Sequence, residues 1–244
     1  MESESNQSPL IVIVGETASG KSALALELAR QFDGEIIAAD SRTLYRGMDI
    51  GTAKPTAEER TSIKHHLIDI STPDKPLTVS IFKKLANHAI EDASSRGKLP
   101  ILVGGAGLYI DAVVYNFSFS SGKADEKNRR RLQGLTIEQL QAESRELGIP
   151  LPANDKNPRH LMRHLETGGV SGSSHTLRLN TLLLGLHIDR EVLHERVVTR
   201  TNEMLEAGLM KEAQDLIARY GSDCLPLQTI GYREFVPYFA GDAT

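Results

Sequence analysis

The run from Ile11 to Ser22 constrains this chain more than any other feature of its sequence. Four apolar residues, Ile11 to Val14, indicate a buried strand, and the segment from Ser22 to Arg30 has the periodicity of a helix. Between them stands the complete pattern G-x-x-x-x-G-K-S, in the strand–loop–helix context that a phosphate-binding loop requires. Loop N–H groups, the positive end of a helix and Lys21 all favour an anion, and the Ser22 hydroxyl can hold Mg²⁺. The diphosphate-binding residues predicted here are Gly15, Glu16, Thr17, Ala18, Ser19, Gly20, Lys21 and Ser22. The sequence therefore predicts a site for a di- or triphosphate.

The composition sets outer limits on the protein class. The hydrophobic fraction of 40% and the charged fraction of 25% are those of an ordinary soluble domain. One cysteine, Cys224, excludes an internal disulfide and suits a reducing cytoplasm. The polar start and the absence of any long apolar run argue against a signal peptide and a membrane span. A formal net charge of −4 argues weakly against nucleic acid as a partner. We expect a cytoplasmic protein without membrane contact, and a monomer.

Asp40 follows a second short apolar strand, Glu35 to Ala39. Functional groups of open parallel sheets lie beyond the carboxyl ends of the strands, so Asp40 is expected close to the phosphate-binding loop. A carboxylate there can act as a general base or as a partner of Mg²⁺ through water. The structural alternative is a cap for the following turn of chain.

Three further segments carry weaker signals. The segment from Val79 to Ala93 predicts a helix whose core-facing residues are Ile81, Phe82, Leu85, Ala89 and Ile90. Leu99 to Val103 predicts a third strand that runs into Gly104-Gly105, where either a ligand or a tight turn can require glycine. The adjacent His65 and His66 suggest a metal only weakly, because neighbouring side chains point in different directions.

Several motifs together resemble one family, the tRNA dimethylallyltransferases. The run D-S-R-T-L-Y-R-G-M-D-I-G-T-A-K-P over residues 40–55 is similar to that family's second signature, and the phosphate-binding loop is similar to its G-P-T-A-S-G-K-[ST]. Glu16 stands where proline is usual, and Ala106 stands where threonine is usual. The likeness continues through residues 65–69, 104–109 and 230–234, and covers the chain from about Leu10 to Ala240.

The resemblance implies a fold and a reaction. The fold is α/β: a P-loop NTPase-like parallel sheet flanked by helices, formed by residues 9–120 and 158–244, with a small helical insert over 121–157. The reaction moves a dimethylallyl group from dimethylallyl diphosphate to N6 of adenosine 37, beside the anticodon of tRNA. The catalytic residues it implies are Asp40 as the base, with Lys21 and Arg200 on the diphosphate and Mg²⁺ on Ser22.

The resemblance also implies contacts with the anticodon stem-loop of tRNA. The residues concerned are Asp40, Ser41, Arg42, Thr43, Ala106, Arg159 and Arg163. The basic run from Arg129 to Arg131 fits RNA phosphates and a solvated helix face equally well. The insert is shorter than is usual in the family, and the family's later basic helix is missing from this sequence. The expectation is therefore normal binding of prenyl diphosphate and weak binding of tRNA.

Three alternative functions remain open at this point. The first is a related enzyme that prenylates free AMP or ADP, although the D-S pair at residues 40–41 and the G-T-A-K-P run at residues 51–55 look more like the tRNA branch. A small-molecule kinase shares the phosphate-binding loop, and transfer of label from ATP separates it from a prenyltransferase. A non-catalytic relative that binds RNA or phosphate is consistent with Ala106 and the short insert.

Overall fold

A computed structural model describes residues 7–117, 126–169 and 176–242 of the chain. The chain divides into two compact units. The first comprises Met1–Tyr115 and Thr176–Thr244, and the second comprises Asn116–His175.

The first unit is built on a five-stranded sheet in which every pair of neighbouring strands is parallel. Its strands are β1 (Leu10–Gly15), β2 (Gly34–Ala38), β3 (His65–His66), β4 (Leu99–Gly104) and β5 (Thr181–Leu186), in the order β3-β2-β4-β1-β5. Strand β1 pairs on both sides, with Ile11 opposite Ile101 of β4 and Leu182 of β5. The α/β class and the parallel sheet predicted from the sequence are confirmed.

Helices cover the central strands. Those of the first unit are α1 (Lys21–Gln31), α2 (Ala57–Ser62), α3 (Val79–Ser95), α4 (Gly107–Val114), α8 (Arg190–Glu206), α9 (Leu209–Tyr220) and α10 (Phe235–Ala240), and those of the second are α5 (Glu126–Gln133), α6 (Ile137–Glu146) and α7 (Pro158–Glu166). Among the described residues no helix is both long and apolar enough to cross a membrane.

Alternate residues of the strands supply two separate hydrophobic cores. Ile13 and Ile101 pack with Ala25 and Leu26 of α1, whereas Val12 and Leu102 belong to the larger cluster that includes residues of α3, α4 and α9. This division follows from the two-residue period of a strand, which sends successive side chains to opposite faces. Both faces are apolar, as expected for a parallel sheet covered by helices.

The buried stripe of α3 differs in part from the predicted one. Phe82, Ala89 and Ile90 are buried as expected, but Ile81 and Leu85 are exposed by 43% and 38%. The buried face continues through Ala86 and Ala93 instead. The buried positions form one face at helical spacing, and Ile81 and Leu85 lie outside that face.

The second unit has a small core of its own. Leu132 of α5, Leu140 of α6 and Leu161 of α7 are fully buried together. Helix α6 begins with a capping box, in which Thr136 and Gln139 each satisfy a backbone N–H group of the other. The unit extends beyond the predicted 121–157 segment and includes α7, because Leu161 packs on the other two leucines.

Candidate active site

The loop between β1 and α1 has the backbone shape that anion binding requires. Ala18 and Gly20 lie in the left-handed region, at φ values of 63° and 93°, and the N–H of Ser19 donates to the carbonyl of Glu16 over 3.2 Å. Where left-handed and right-handed backbone conformations occur next to each other in a short loop, successive N–H groups point toward a common side. Gly20 is the N-cap of α1 and offers no side chain to satisfy the first N–H groups of the helix. These groups are therefore available to an anion.

A cavity of about 430 Å³ opens beside this loop. It is lined by loop residues together with the ends of β2 and β4, part of the 48–55 segment and one side of α8. Its principal lining residues are Thr17, Ala18, Ser19, Gly20, Lys21, Ser22, Asp40, Thr43, Thr52, Ala53, Gly105, Arg200 and Glu203. All three predicted catalytic residues, Asp40, Lys21 and Arg200, thus face one cavity.

Two partly buried cations concentrate positive charge in this cavity. Burial lowers the pKa of Lys21, and the nearby Arg200 lowers it further, while the charge of Asp40 opposes both effects. Burial also lowers the pKa of Arg200, again opposed by Asp40. The Lys21 ammonium donates to the carbonyl of Glu16 and lies 3.5 Å from Oγ of Ser19. Two cations whose charges are incompletely neutralised by the protein favour an anionic ligand.

Asp40 has both a structural and an available carboxylate oxygen. Its Oδ1 accepts the N–H of Arg42 over 2.7 Å and that of Thr43 over 3.3 Å. Within the described residues, Oδ2 accepts no hydrogen bond. The carboxylate therefore caps the turn that follows β2, and it also presents one oxygen that is available to a ligand.

The cavity contains oxygen donors that suit a small divalent cation. The Ser22 hydroxyl and the Asp40 carboxylate both line it, and Mg²⁺ prefers such hard oxygen ligands. The chemistry of these two side chains fits the predicted Mg²⁺.

A second cavity of about 650 Å³ adjoins the first. The two share Ala53, Pro55, Arg200 and Glu203 in their walls. Lys54 lines only the second, and its side chain is 2% exposed. Its Nζ lies 2.6 Å from a carboxylate oxygen of each of Asp49 and Asp69, so this cation is neutralised within the protein.

The paired glycines after β4 have separate roles. A Cβ atom on Gly104 would lie 2.0 Å from the carbonyl oxygen of Ala39, so the close approach there is made by the protein's own backbone. A Cβ atom on Gly105 would make only an ordinary contact, 3.7 Å from the carbonyl oxygen of Gly15, and Gly105 lines the cavity. Of the two explanations left open by the sequence, packing accounts for Gly104.

His65 and His66 point in different directions, as predicted. Nδ1 of His65 lies 2.8 Å from the carbonyl of Ile63, while Nε2 of His66 lies 2.6 Å from Glu35. The ligand atoms of Glu35, His66 and Asp92 lie close enough to surround a metal. However, Arg96 is hydrogen-bonded to both carboxylates, so the cluster is an internal ion-pair network.

The remaining predicted residues lie outside the first cavity. Five of them are not among its lining residues: Gly15, Glu16, Ser41, Arg42 and Ala106. Arg159 and Arg163 lie on α7 of the second unit, where Arg163 pairs with Glu166 over 3.3 Å.

Two arginines of the basic run also pair within the second unit. Arg131 pairs with Glu143 over 2.6 Å, and Arg129 lies 3.4 Å from Glu166. These two cations are therefore partly neutralised by carboxylates of their own unit.

Sequence reasoning missed several residues of the walls. Glu203 lies three positions after Arg200 on α8 and faces both cavities, a placement that helical spacing alone was sufficient to suggest. Thr52 and Ala53 lie in the run over residues 40–55 that is similar to the family's second signature, but the sequence predicted no role for either residue. Nothing in the sequence indicated that the carboxylate of Glu212 on α9 accepts hydrogen bonds from the backbone N–H groups of residues 49–51.

The fold and the loop geometry are those of a P-loop α/β protein, and the cavity combines a loop whose shape suits an anion with a neighbouring carboxylate. The family model described as IPP transferase matches residues 43–244. The chain belongs to this family. Its members are prenyltransferases, and the resemblance found from the sequence motifs is confirmed.

Individual relatives agree with this assignment. The chain is 41% identical to a tRNA dimethylallyltransferase of Oceanobacillus iheyensis, over 96% of this chain and 79% of that protein. It is 42% identical to one from Exiguobacterium, with the same coverage of both chains.

Two solved structures are similar as well. The full-length tRNA isopentenylpyrophosphate transferase of Bacillus halodurans is 39% identical, with a TM-score of 0.73 over 98% of this chain and 79% of that one. A eukaryotic dimethylallyltransferase acting on tRNA is 28% identical, with a TM-score of 0.80 over 96% of this chain and 64% of that one. Together the relatives favour a tRNA prenyltransferase over the three alternatives.

Proposed function

We propose that this protein transfers a dimethylallyl group from dimethylallyl diphosphate to N6 of adenosine 37 in tRNA. The observation that carries the proposal is the convergence of Asp40, Lys21, Arg200 and the phosphate-binding loop on one cavity. A base and a site for a diphosphate leaving group within one cavity are the two parts that an alkyl transfer requires. Relatives named as tRNA dimethylallyltransferases support the choice of substrates.

The diphosphate occupies the loop in this proposal. The N–H groups at the start of α1, Lys21 and Arg200 hold its oxygens, and Ser22 is the ligand of Mg²⁺. When bound, Mg²⁺ supplies further positive charge against the diphosphate. These groups stabilise the negative charge that grows on pyrophosphate as its bond to the allylic carbon breaks.

Asp40 acts on the acceptor. The exocyclic amine of adenosine is a poor nucleophile because its electron pair is conjugated with the purine ring. A carboxylate that accepts a proton from N6 helps the new C–N bond to form. As the C–N bond forms, the C–O bond of the donor breaks, pyrophosphate leaves, and the proton from N6 passes to Asp40.

The adjoining cavities suit a reaction of two substrates. Arg200 and Ala53 lie in the wall that both share, so a donor on the loop and an acceptor base have room to meet there.

We assign contact with the anticodon stem-loop to Asp40–Thr43 and Ala106, and to Arg159 and Arg163 in the second unit, which contains the 121–157 segment. One chain supplies both cavities, so the proposal needs only a monomer, and a cytoplasmic location is consistent with a tRNA substrate.

Product analysis tests this proposal against its alternatives. The purified chain is incubated with dimethylallyl diphosphate and an anticodon stem-loop RNA, and the digested nucleosides are weighed by mass spectrometry. We expect isopentenyladenosine from the RNA, and none from an RNA with guanosine in place of adenosine 37. Product from AMP or ADP alone would indicate the adenylate enzyme, and label transferred from the γ-phosphate of ATP would indicate a kinase. No product with any donor would favour a non-catalytic relative.

A further inference from the structure

Residues 48–55, here called the wall loop, lie between the two cavities. The backbone of this loop is bound by a side chain that lines neither cavity. Thr52 lines the first cavity, Lys54 lines the second, and Ala53 lines both. The loop has no regular secondary structure. Its shape therefore depends on side chains that bind its backbone.

Glu212 on α9 binds three successive backbone N–H groups of this loop. Its Oε2 accepts from Asp49 over 3.0 Å and from Ile50 over 2.8 Å, and its Oε1 accepts from Gly51 over 3.0 Å. The hydroxyl of Tyr232 donates to the same Oε1 over 2.7 Å. Four donors on one carboxylate use its full accepting capacity, and hydrogen bonds to a charged acceptor are the strong ones.

Close packing behind the loop reinforces this anchor. Tyr232 is fully buried, and a Cβ atom on Gly51 would lie 2.6 Å from its ring. Tyr232 therefore rests directly on the backbone of the loop at the point where Glu212 binds it. At the far end Lys54 donates to the carbonyl of Tyr45 and to Asp69, which fixes the exit of the loop.

The part of the loop between these anchors is conformationally strained. Ala53 has a φ of 45°, a left-handed conformation that residues with a Cβ rarely adopt. Its N–H donates to the carbonyl of Ile50 over 2.9 Å, which is one of the residues bound by Glu212. Strain of this kind persists only where the surroundings determine the conformation, and here it occurs in the wall that faces both cavities.

We propose that Glu212 is a positioning residue for the transfer reaction. It does not line either cavity; it sets Thr52 and Ala53 in the shared wall by fixing the loop backbone behind them. The kinetic part of this inference rests on the proposed function, whereas the anchoring part does not. Misplacement of a cavity wall by about 1 Å is enough to disturb the geometry of two reacting groups.

Amide hydrogen exchange tests the anchor without any assay of activity. In Glu212→Gln we expect the N–H groups of Asp49, Ile50 and Gly51 to exchange about tenfold faster or more, because one accepting oxygen is replaced by a donor. Amides of β1 and β4 should keep their wild-type rates. Asp215→Asn is the matched control, since Asp215 lies on the same helix in an exposed ion pair with Lys211. Unchanged exchange at residues 49–51 would overturn the proposal.

Kinetics separate positioning from stability alone. At a temperature where all variants are folded, Glu212→Gln should lower kcat about tenfold and change the Kd of inorganic pyrophosphate less than twofold. Tyr232→Phe, which removes one donor to the same oxygen, should give an intermediate effect. A loss of thermal stability with wild-type kcat would make Glu212 purely structural and refute its positioning role. A wild-type chain that transfers no dimethylallyl group would count against the proposed function, while the exchange result would still decide the anchor.

Discussion

In the proposed mechanism the Asp40 carboxylate both caps a turn and accepts a proton, and a pair of substitutions separates these two roles. Asp40→Asn keeps an oxygen for the N–H groups of Arg42 and Thr43 but removes the base. Turnover should fall about 10²-fold or more, the range for loss of a general base, and the Kd of dimethylallyl diphosphate should change little. The turnover of Asp40→Ala should fall at least as far as that of Asp40→Asn. Wild-type turnover in Asp40→Asn would mean that this carboxylate only caps the turn.

Lys21 and Arg200 are two cations that line the cavity beside the phosphate-binding loop. Each should contribute a charge-assisted contact to the diphosphate, worth about 1.5–3 kcal/mol. Lys21→Ala and Arg200→Ala are therefore expected to weaken pyrophosphate binding by roughly tenfold or more in calorimetry, and to slow transfer as well. Arg30→Ala is the control, because Arg30 is exposed in the last turn of the same helix as Lys21. Unaltered pyrophosphate affinity in both cavity variants would refute the assignment of the anion site.

At the scale of elements, one ion-pair network ties β2 and β3 to α3. Arg96 at the end of α3 and His66 of β3 both bind the buried Glu35 of β2. Hydrogen bonding to Arg96 lowers the pKa of Glu35 from its ordinary 4.5 to about 2. Because the pKa is lower in the folded state, the stabilisation is present above the unfolded value and is lost as the pH falls toward 2.

Urea unfolding at several pH values tests this network. The wild-type free energy of unfolding should lose about 2 kcal/mol relative to Glu35→Gln between pH 5 and pH 2, an amount reduced by solvent screening of the half-exposed Arg96. Asp33→Asn provides the comparison, since Asp33 is 78% exposed in its pair with Lys98. Parallel pH curves for the wild type and Glu35→Gln would contradict the role of the network.

At the scale of the whole molecule, the two compact units, each with core residues of its own, predict two separable stabilities. The second unit depends on three buried leucines, and Leu140→Ala removes one of them. A cavity of this kind costs about 2–5 kcal/mol, which a core so small has little means to offset. Amides of α5, α6 and α7 should lose protection from hydrogen exchange, while pyrophosphate binding by the first unit stays at its wild-type value.

Leu147→Ala is the matched control for this experiment, because Leu147 ends the same helix and is 61% exposed. It should leave exchange in both units unchanged. If Leu140→Ala removed protection equally from β1 and β4, the units would unfold as one cooperative structure and the prediction would fail.

The family resemblance implied the parallel sheet, whereas the residues by themselves determined the phosphate-binding loop, the buried strands and the position of Asp40 at the end of a strand. These features are encoded by neighbours in the chain: an apolar run, glycines at set spacing and the start of a helix. Their physical causes are local backbone preference and hydrophobic periodicity, and both can be deduced from a single stretch of residues.

Only the tertiary structure decided the rest. Glu212 binds Ile50 across 162 residues, Gly104 is needed because the backbone of Ala39 approaches it, and Leu85 turns outward from α3. Each depends on how closely one element packs on another and at which rotation. Those distances result from the packing of many side chains at once, so no local pattern in the sequence contains them.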